Sequence, residues 1–223
     1  SSVTPGPIIP RGVYVASKYF ITAKCLVSLS DPLCQGAIPQ YVLDNPNVDG
    51  VHFRIYWKDL EPTQGNFDWS RIDSEFARTA NAGKYISFDL AGGDKAPEWA
   101  KPTGTNHTFK QVRLAGAGQT FSVRMSLPWN GTYKQRQKDM LFALANHLKA
   151  NPTIYNKITY IRNYSGVFTD TDETRLPEQA LVQSTLDGGW STNNPVLWAS
   201  LGYKPSKVFN TWKEMTNYQY SLF

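Results

Sequence analysis

The strongest constraint on this chain is an alternation that recurs about four times. A short run of β-branched and aromatic residues with a period of two gives way to a stretch with apolar residues at helical spacing. That order is expected of βα units around a parallel sheet, because parallel neighbours need a crossover and a helix is the usual one. The first strand covers 12–17 and is followed by a long loop and a helix near 40–43; further strands cover 51–57, 84–90 and 157–164. Helices are expected from Ser70 to Gly83, from Thr132 to just before Asn151-Pro152, and from about Ser206 to Leu222. Ser70-Arg71-Ile72-Asp73 and Thr132-Tyr133-Lys134-Gln135 have the spacing of capping boxes. Buried stripes are expected at Ile72, Phe76, Thr79 and Ala80, at Met140, Leu141, Leu144, Ala145 and Leu148, and at Val208, Trp212, Met215 and Leu222. Residues 107–127 alternate on both sides of Ala115-Gly116-Ala117-Gly118, the pattern of a β-hairpin inserted after the third strand. The expected fold class is α/β, in a single domain over 1–223.

The second strand has two different faces. Val51, Phe53, Ile55 and Trp57 fall on one side, and His52, Arg54 and Tyr56 on the other. A parallel strand buried on both faces would be apolar on both, so a His, Arg and Tyr face suggests a polar interior leading to a site. Ser87 and Asp89 share a face of the third strand, which runs into the glycine-containing loop Ala91-Gly92-Gly93-Asp94. Residues 166–202 form a long loop rich in Asp, Thr, Gly and Asn, and loops of that length are usually functional. Aromatic residues reach 13%, with seven Trp. Core packing accounts for most of them; Trp57, Trp99 and Trp129 are placed where flat rings could stack on a sugar.

The charge of +5 comes from scattered Lys and Arg with no basic run, so nucleic-acid binding is not expected. No stretch approaches the ~20 apolar residues of a membrane-spanning helix, and no membrane partner is expected. The start Ser1-Ser2-Val3 has the look of a mature terminus after signal removal. Cys25 and Cys34 flank a turn containing Asp31-Pro32 and are expected to form a local disulfide, with two buried free thiols as the alternative. Asn-x-Ser/Thr sequons at Asn106, Asn130 and Asn163 agree with a secreted, extracellular protein, and the first two sit in loop-like sequence as candidate glycosylation sites. His52, His107 and His147 lack metal-ligand spacing, and each is read as a hydrogen-bonded structural residue. No phosphate loop, dinucleotide fingerprint or Ser-His-Asp spacing is present, so no cofactor and no metal are expected.

The run from Arg54-Ile55-Tyr56-Trp57 through Glu61-Pro62-Thr63-Gln64-Gly65 to Phe67-Asp68-Trp69 resembles the second βα unit of clan A glycoside hydrolases, especially the β-galactosidase-like families. Gly83-Lys84, Pro97-Glu98-Trp99, Leu127-Pro128-Trp129 with Tyr133, and Glu173-Thr174-Arg175-Leu176-Pro177 with Trp198 and Gly202-Tyr203 extend the similarity over about 11–223. The resemblance implies the first four βα units of a TIM-type (β/α)8 barrel, a half-barrel with its hairpin insertion after strand three. It also implies a secreted retaining glycoside hydrolase acting on β-glycosides or polysaccharide. Its acid/base Glu would follow strand four, and its nucleophile Glu, on strand seven, would lie outside this chain. Glu173 is the candidate acid/base residue, with Asp170 and Asp172 as rivals, although the usual Asn-Glu at the strand end is replaced by a Thr-Asp-Thr-Asp run. The structural alternative for all three is a solvated acidic loop or a cation site.

By the same resemblance Arg54 would hold the nucleophile's carboxylate, or else form an internal ion pair with Asp89. Tyr56, Trp57, Asp89, Asp94, Trp99 and Trp129 are candidate substrate contacts, Glu61 is assigned to structure and Glu98 is left open. Four strands of a barrel would leave raw edges, so a second chain or a second copy is expected to complete it. The other class is a non-catalytic carbohydrate-binding or structural protein assembling through those edges.

Overall fold

The computed structural model of the chain describes residues 11–17, 38–104, 106–112, 120–162 and 198–223. It is a mixed α/β structure with a parallel sheet. In chain order the elements are β1 (Tyr14–Ser17), α1 (Gln40–Leu43), β2 (Gly50–Tyr56), α2 (Trp57–Leu60), α3 (Ser70–Asn81), β3 (Tyr85–Ala91), β4 (Asn106–Val112), β5 (Thr120–Ser126), α4 (Gly131–Lys149), α5 (Pro152–Tyr155), β6 (Ile158–Ile161) and α6 (Pro205–Leu222). The chain divides into two compact units, Ser1–Leu90 with Ala143–Asn163 and Ala91–Phe142 with Tyr164–Phe223.

In the first unit the described strands form one sheet in the order β1-β2-β3-β6. β1 and β2 are parallel, with Val15 opposite Val51 and Ser17 opposite Phe53. β3 and β6 are also parallel; an irregularity after Ile86 sets Ser87 opposite Tyr160. The period-two pattern of β2 is realised in its burial, with Val51, Phe53 and Ile55 fully buried and His52, Arg54 and Tyr56 partly exposed. Phe76 of α3 ties β2 to β3, its ring 5.0 Å from that of Phe53 and 5.7 Å from that of Phe88. Burying each such ring contributes ~1.5–3 kcal/mol over leaving it in water. On the edge strands, the Tyr14 and Thr159 hydroxyls are 3.1 Å apart and the Tyr14 and Tyr160 rings 6.1 Å apart, so side chains of β1 and β6 meet. The Tyr14 ring also covers Gly50, where an added Cβ would fall 2.3 Å from it.

Helix α3 buries Ile72, Phe76, Thr79 and Ala80 as the spacing predicts, and Glu75 with them. Its start differs from the expected capping box. Ser70 is already the first helical residue, and Asp68 Oδ1 accepts from the Ser70 backbone N–H at 3.0 Å and from its hydroxyl at 2.6 Å. The end is a Schellman motif: Gly83 takes a positive φ of 78°, its N–H reaches the Ala80 carbonyl, and the Lys84 N–H reaches the Thr79 carbonyl. The Lys84 ammonium then donates to the carbonyls of Asn45 and Val48, fixing the segment that leads into β2.

The second unit holds the antiparallel pair β4–β5, with Asn106 opposite Ser126. Helix α4 opens one residue earlier than expected, at Gly131, and Asn130 caps it, its Oδ1 accepting from the Tyr133 N–H at 2.9 Å. Tyr133 is buried, and its hydroxyl accepts from the Gly93 N–H at 2.9 Å. Met140 and Leu141 are buried along α4 in this unit, and Leu144, Ala145 and Leu148 on the stretch of the helix that belongs to the first unit. Met125 and Trp198 form a separate cluster with Leu127, Trp129, Leu201 and Tyr203. On α6 the buried residues are Thr211, Met215 and Gln219, so the stripe is turned from the expected one and Trp212 is only half-buried. On the same helix Glu214 pairs with Lys134 at 2.5 Å and Lys138 at 2.7 Å on α4. Among the described residues no helix is long and apolar enough to cross a membrane.

Candidate functional site

The face of the first unit's sheet turned away from Phe76 of α3, its inner face, carries a cluster of ionisable side chains on adjacent strands. His52 and Arg54 alternate with buried apolar residues on β2, and Asp89 lies on β3 between Phe88 and Leu90. Arg162 directly follows β6, where its backbone N–H donates to the Phe88 carbonyl at 2.8 Å. The Asp89 side chain is 3% exposed, with Arg54 Nε 3.8 Å from Oδ2 and His52 Nε2 3.9 Å from Oδ1. Those separations allow charge attraction but exceed hydrogen-bond length. Among the described residues, both Asp89 oxygens and His52 Nε2 are buried without a hydrogen-bond partner beyond the Asp89 residue's own backbone. The other imidazole nitrogen is engaged: His52 Nδ1 lies 2.9 Å from Ser87 Oγ, and the His52 ring stacks on Tyr160 with centroids 5.8 Å apart.

Burial dominates the protonation of both groups. It pushes the Asp89 carboxyl up to about 7, against the opposing pull of the Arg54 and Arg162 guanidinium groups. It pushes His52 down to about 4, and there the same two cations, Arg162 and then Arg54, act in the same direction. The imidazole is therefore neutral at physiological pH, while Asp89 is poised to hold or release a proton. Such a carboxyl can donate to a ligand oxygen when protonated and accept from a hydroxyl when ionised.

The structure brings Arg54 and Asp89 together, in the ion-pair geometry set out above as the structural alternative for Arg54. Tyr56, the last residue of β2, is partly exposed, with the Lys58 ammonium 5.8 Å from its ring centre. Trp57 is a correction. The strand ends at Tyr56, Trp57 opens the short helix α2, and its ring is fully buried with the indole N–H donating to Glu61 Oε2 at 2.8 Å. A side chain so enclosed packs the core and is not a surface for a sugar. The same Glu61 accepts from the Gly65 N–H at 2.8 Å, the turn-anchoring role expected of it.

In the second unit, Asp94 pairs with Lys95 at 2.6 Å. The Trp99 carbonyl accepts from Arg136 at 2.7 Å, and the guanidinium lies 6.0 Å from the indole. Trp129 packs against Trp198 and Tyr203 with the Lys207 ammonium 5.6 Å from its ring. Glu98 bridges Lys101 at 2.8 Å and Arg124 at 3.0 Å, a structural arrangement. Asn106 opens β4, and Asn130 is the helix cap already described. Glu173, with Asp170 and Asp172, lies outside the described residues, as do Cys25, Cys34 and Asn163. Sequence reasoning set His52 aside as structural; its place two residues before Arg54, on the face shared with Tyr56, was the signal that could have included it. Ser87 was visible in the same way, two residues before Asp89. Among the described residues no group of His, Cys, Asp and Glu is placed to hold a metal ion.

No family model and no curated protein matches the chain. Similar solved structures include the β-galactosidase from the psychrophilic Marinomonas ef1, at 14% identity and a TM-score of 0.41, covering 72% of this chain and 23% of that one. The β-galactosidase from Bacillus circulans sp. alkalophilus is similar at 17% identity and a TM-score of 0.42, covering 72% of this chain and 22% of that one. Endo-glycoceramidase II from Rhodococcus sp. is similar at 16% identity and a TM-score of 0.42, covering 73% of this chain and 41% of that one. The chain thus spans well under half the length of each of these three proteins.

Proposed function

We propose that this chain is part of a secreted retaining glycoside hydrolase acting on β-glycosides or a related polysaccharide, and that it carries the acid/base half of the site. The observation that supports this most is the meeting of Arg54 and Asp89 on the inner face of adjacent strands, directly before the loop in which Glu61 holds Trp57 and Gly65. In this reading the elements are the first four βα units of a (β/α)8 barrel with a hairpin after the third strand. A second chain or a second copy covers the edges of β1 and β6. Glu173 protonates the leaving oxygen, and a second carboxyl, supplied by strands beyond these four, attacks the anomeric carbon from ~5–5.5 Å away. Arg54 orients that second carboxylate by charge-assisted hydrogen bonds. Tyr56 and Asp89 in the first unit, and Asp94, Trp99 and Trp129 in the second, are each candidate sugar contacts in this reading.

The secreted context goes with a Cys25–Cys34 disulfide and glycans on Asn106 and Asn130. Capping of α4 uses Asn130 Oδ1 and not the amide nitrogen a glycan would occupy. The test is hydrolysis of aryl β-glycosides by this chain alone and together with a polypeptide supplying the remaining strands. Activity that appears on complementation and disappears in Glu173→Gln is the expected result. Oligosaccharide binding without hydrolysis in any combination would replace this reading with a non-catalytic carbohydrate-binding protein.

A further inference from the structure

We propose that Asp89, facing the bare Nε2 of His52, carries a proton, and that losing it converts the inner face of the sheet from a neutral pair into a carboxylate facing two arginines, a pH-operated switch built into β2 and β3. The inference stands on the protein alone and does not depend on the carbohydrate reading. Its first support is the convergence of buried, poorly partnered atoms: His52 Nε2 faces Asp89 Oδ1 at 3.9 Å, and among the described residues neither it nor the two Asp89 oxygens meets a hydrogen-bond partner beyond the Asp89 residue's own backbone. A buried polar atom in that condition costs free energy, and a buried charge costs more, so the enclosed pair favours its neutral form.

The second support is the hydrogen-bond pattern around the imidazole. Ser87 Oγ donates to the Val51 carbonyl at 3.5 Å, which leaves its lone pairs to accept from His52 Nδ1–H at 2.9 Å. The Tyr160 hydroxyl, 3.5 Å from the same nitrogen, is a second acceptor. With its proton on Nδ1, His52 presents a bare lone pair at Nε2. A lone pair and a carboxylate facing each other across 3.9 Å would repel, whereas a protonated carboxyl removes that repulsion.

Among the described residues, Tyr14 of β1, His52 and Arg54 of β2, Asp89 of β3, and Tyr160 with Arg162 at β6 are the titratable and charged side chains that face this cluster. The burial that raises the Asp89 carboxyl and lowers the His52 imidazole acts in the direction the geometry requires. On release, the proton goes from the Asp89 carboxyl to solvent, His52 remains neutral, and the new carboxylate attracts Arg54 Nε from 3.8 Å toward hydrogen-bond distance.

The experiment is a pH titration by heteronuclear NMR of the full chain. It follows the Asp89 side-chain carboxyl carbon, both His52 ring nitrogens and Arg54 Nε, with His52 assigned by comparison with His52→Asn. The expected result is an Asp89 carboxyl that ionises near neutrality and a His52 ring still neutral at about pH 5, more than a unit below the ordinary histidine midpoint of ~6.5. His52 Nε2 and Arg54 Nε should shift together at the Asp89 midpoint, and that step should vanish in Asp89→Asn. A His52 that becomes imidazolium at the ordinary midpoint, an Asp89 already ionised at about pH 5, or a step that survives in Asp89→Asn would each overturn the proposal. If Asp89→Asn does not fold, the carboxyl and imidazole titrations of the unsubstituted protein decide the matter by themselves.

Discussion

On the helix-covered face of the parallel sheet, Val51, Phe53, Ile55, Ile86 and Phe88 are fully buried and ask nothing of their neighbours except shape. One residue along the same strands, His52, Arg54, Ser87 and Asp89 face inward, and among the described residues three of their buried polar atoms have no hydrogen-bond partner beyond the Asp89 residue's own backbone. The first face stabilises by removing apolar area from water, whatever the pH. The second carries groups whose burial is costly and whose charge depends on a proton. The contrast teaches that one side of this sheet is built for stability and the other tolerates instability, the usual condition of a functional surface.

The comparison breaks most sharply at Phe76, whose ring bridges Phe53 and Phe88. Phe76→Ala should cost ~3–5 kcal/mol in chemical denaturation and show no pH dependence of its own. A loss below ~1 kcal/mol would mean that the apolar face is not the stabilising one.

The inner face should respond to pH instead, with signs that follow from the two shifts. Asp89, raised to about 7 in the fold, lets the native state bind the extra proton between about 4 and 7, so its contribution makes stability fall as pH rises there. His52, lowered to about 4, makes the unfolded state bind the extra proton between about 4 and 6.5, so its contribution makes stability rise. The two slopes oppose one another over the shared window. His52→Asn should uncover the falling slope, up to about 1.4 kcal/mol per pH unit, and Asp89→Asn the rising one. Denaturation midpoints at about pH 5 and pH 7 for the three proteins check this, and parallel profiles would refute it.

Gly50 sharpens the comparison where the inner face is crowded. Gly50→Ala should cost ~1–3 kcal/mol because the new Cβ meets the Tyr14 ring, and Tyr14→Ala in the same chain should recover most of it. Thermal melts of the single and double variants measure that coupling. The smallest effect lies away from both faces. Asn130→Ala should lose ~1 kcal/mol through the cap of α4, by the same melts, and leave the inner-face titrations unmoved.

Much of this was legible in the sequence where one period decided it. The alternation in β2 and the stripes of α3 and α4 needed only the spacing of apolar residues, and the buried sets agree with them. Neither expected capping box forms: α3 starts with Trp69 as its N-cap and no side-chain cap, Asp68 holding Ser70 instead, and Asn130 upstream caps α4. The face of α6 was read in part: Met215 is buried as expected, but Thr211 and Gln219 share its face in place of Val208, Trp212 and Leu222, and no apolar period marks those two polar residues. Trp57 was assigned to a sugar surface although period two placed it with Val51, Phe53 and Ile55; its burial follows that period. Within the site, Arg54 and Asp89 were visible as a pair, but their partnership with His52 depended on strand register, which no single strand's sequence contains.

The contact between Tyr14 and Thr159 has a consequence for anything that would extend this sheet. β1 and β6 are its outer strands, three inter-strand spacings apart, or roughly 14 Å if the sheet lay flat. A hydroxyl-to-hydroxyl approach of 3.1 Å between side chains of those two strands is easiest when they bend toward each other, so that the chord is shorter than the arc. Among the described strands the two margins are thus tied to each other by a side-chain contact, and a strand added at either one has to fit beside a tyrosine already engaged across the sheet.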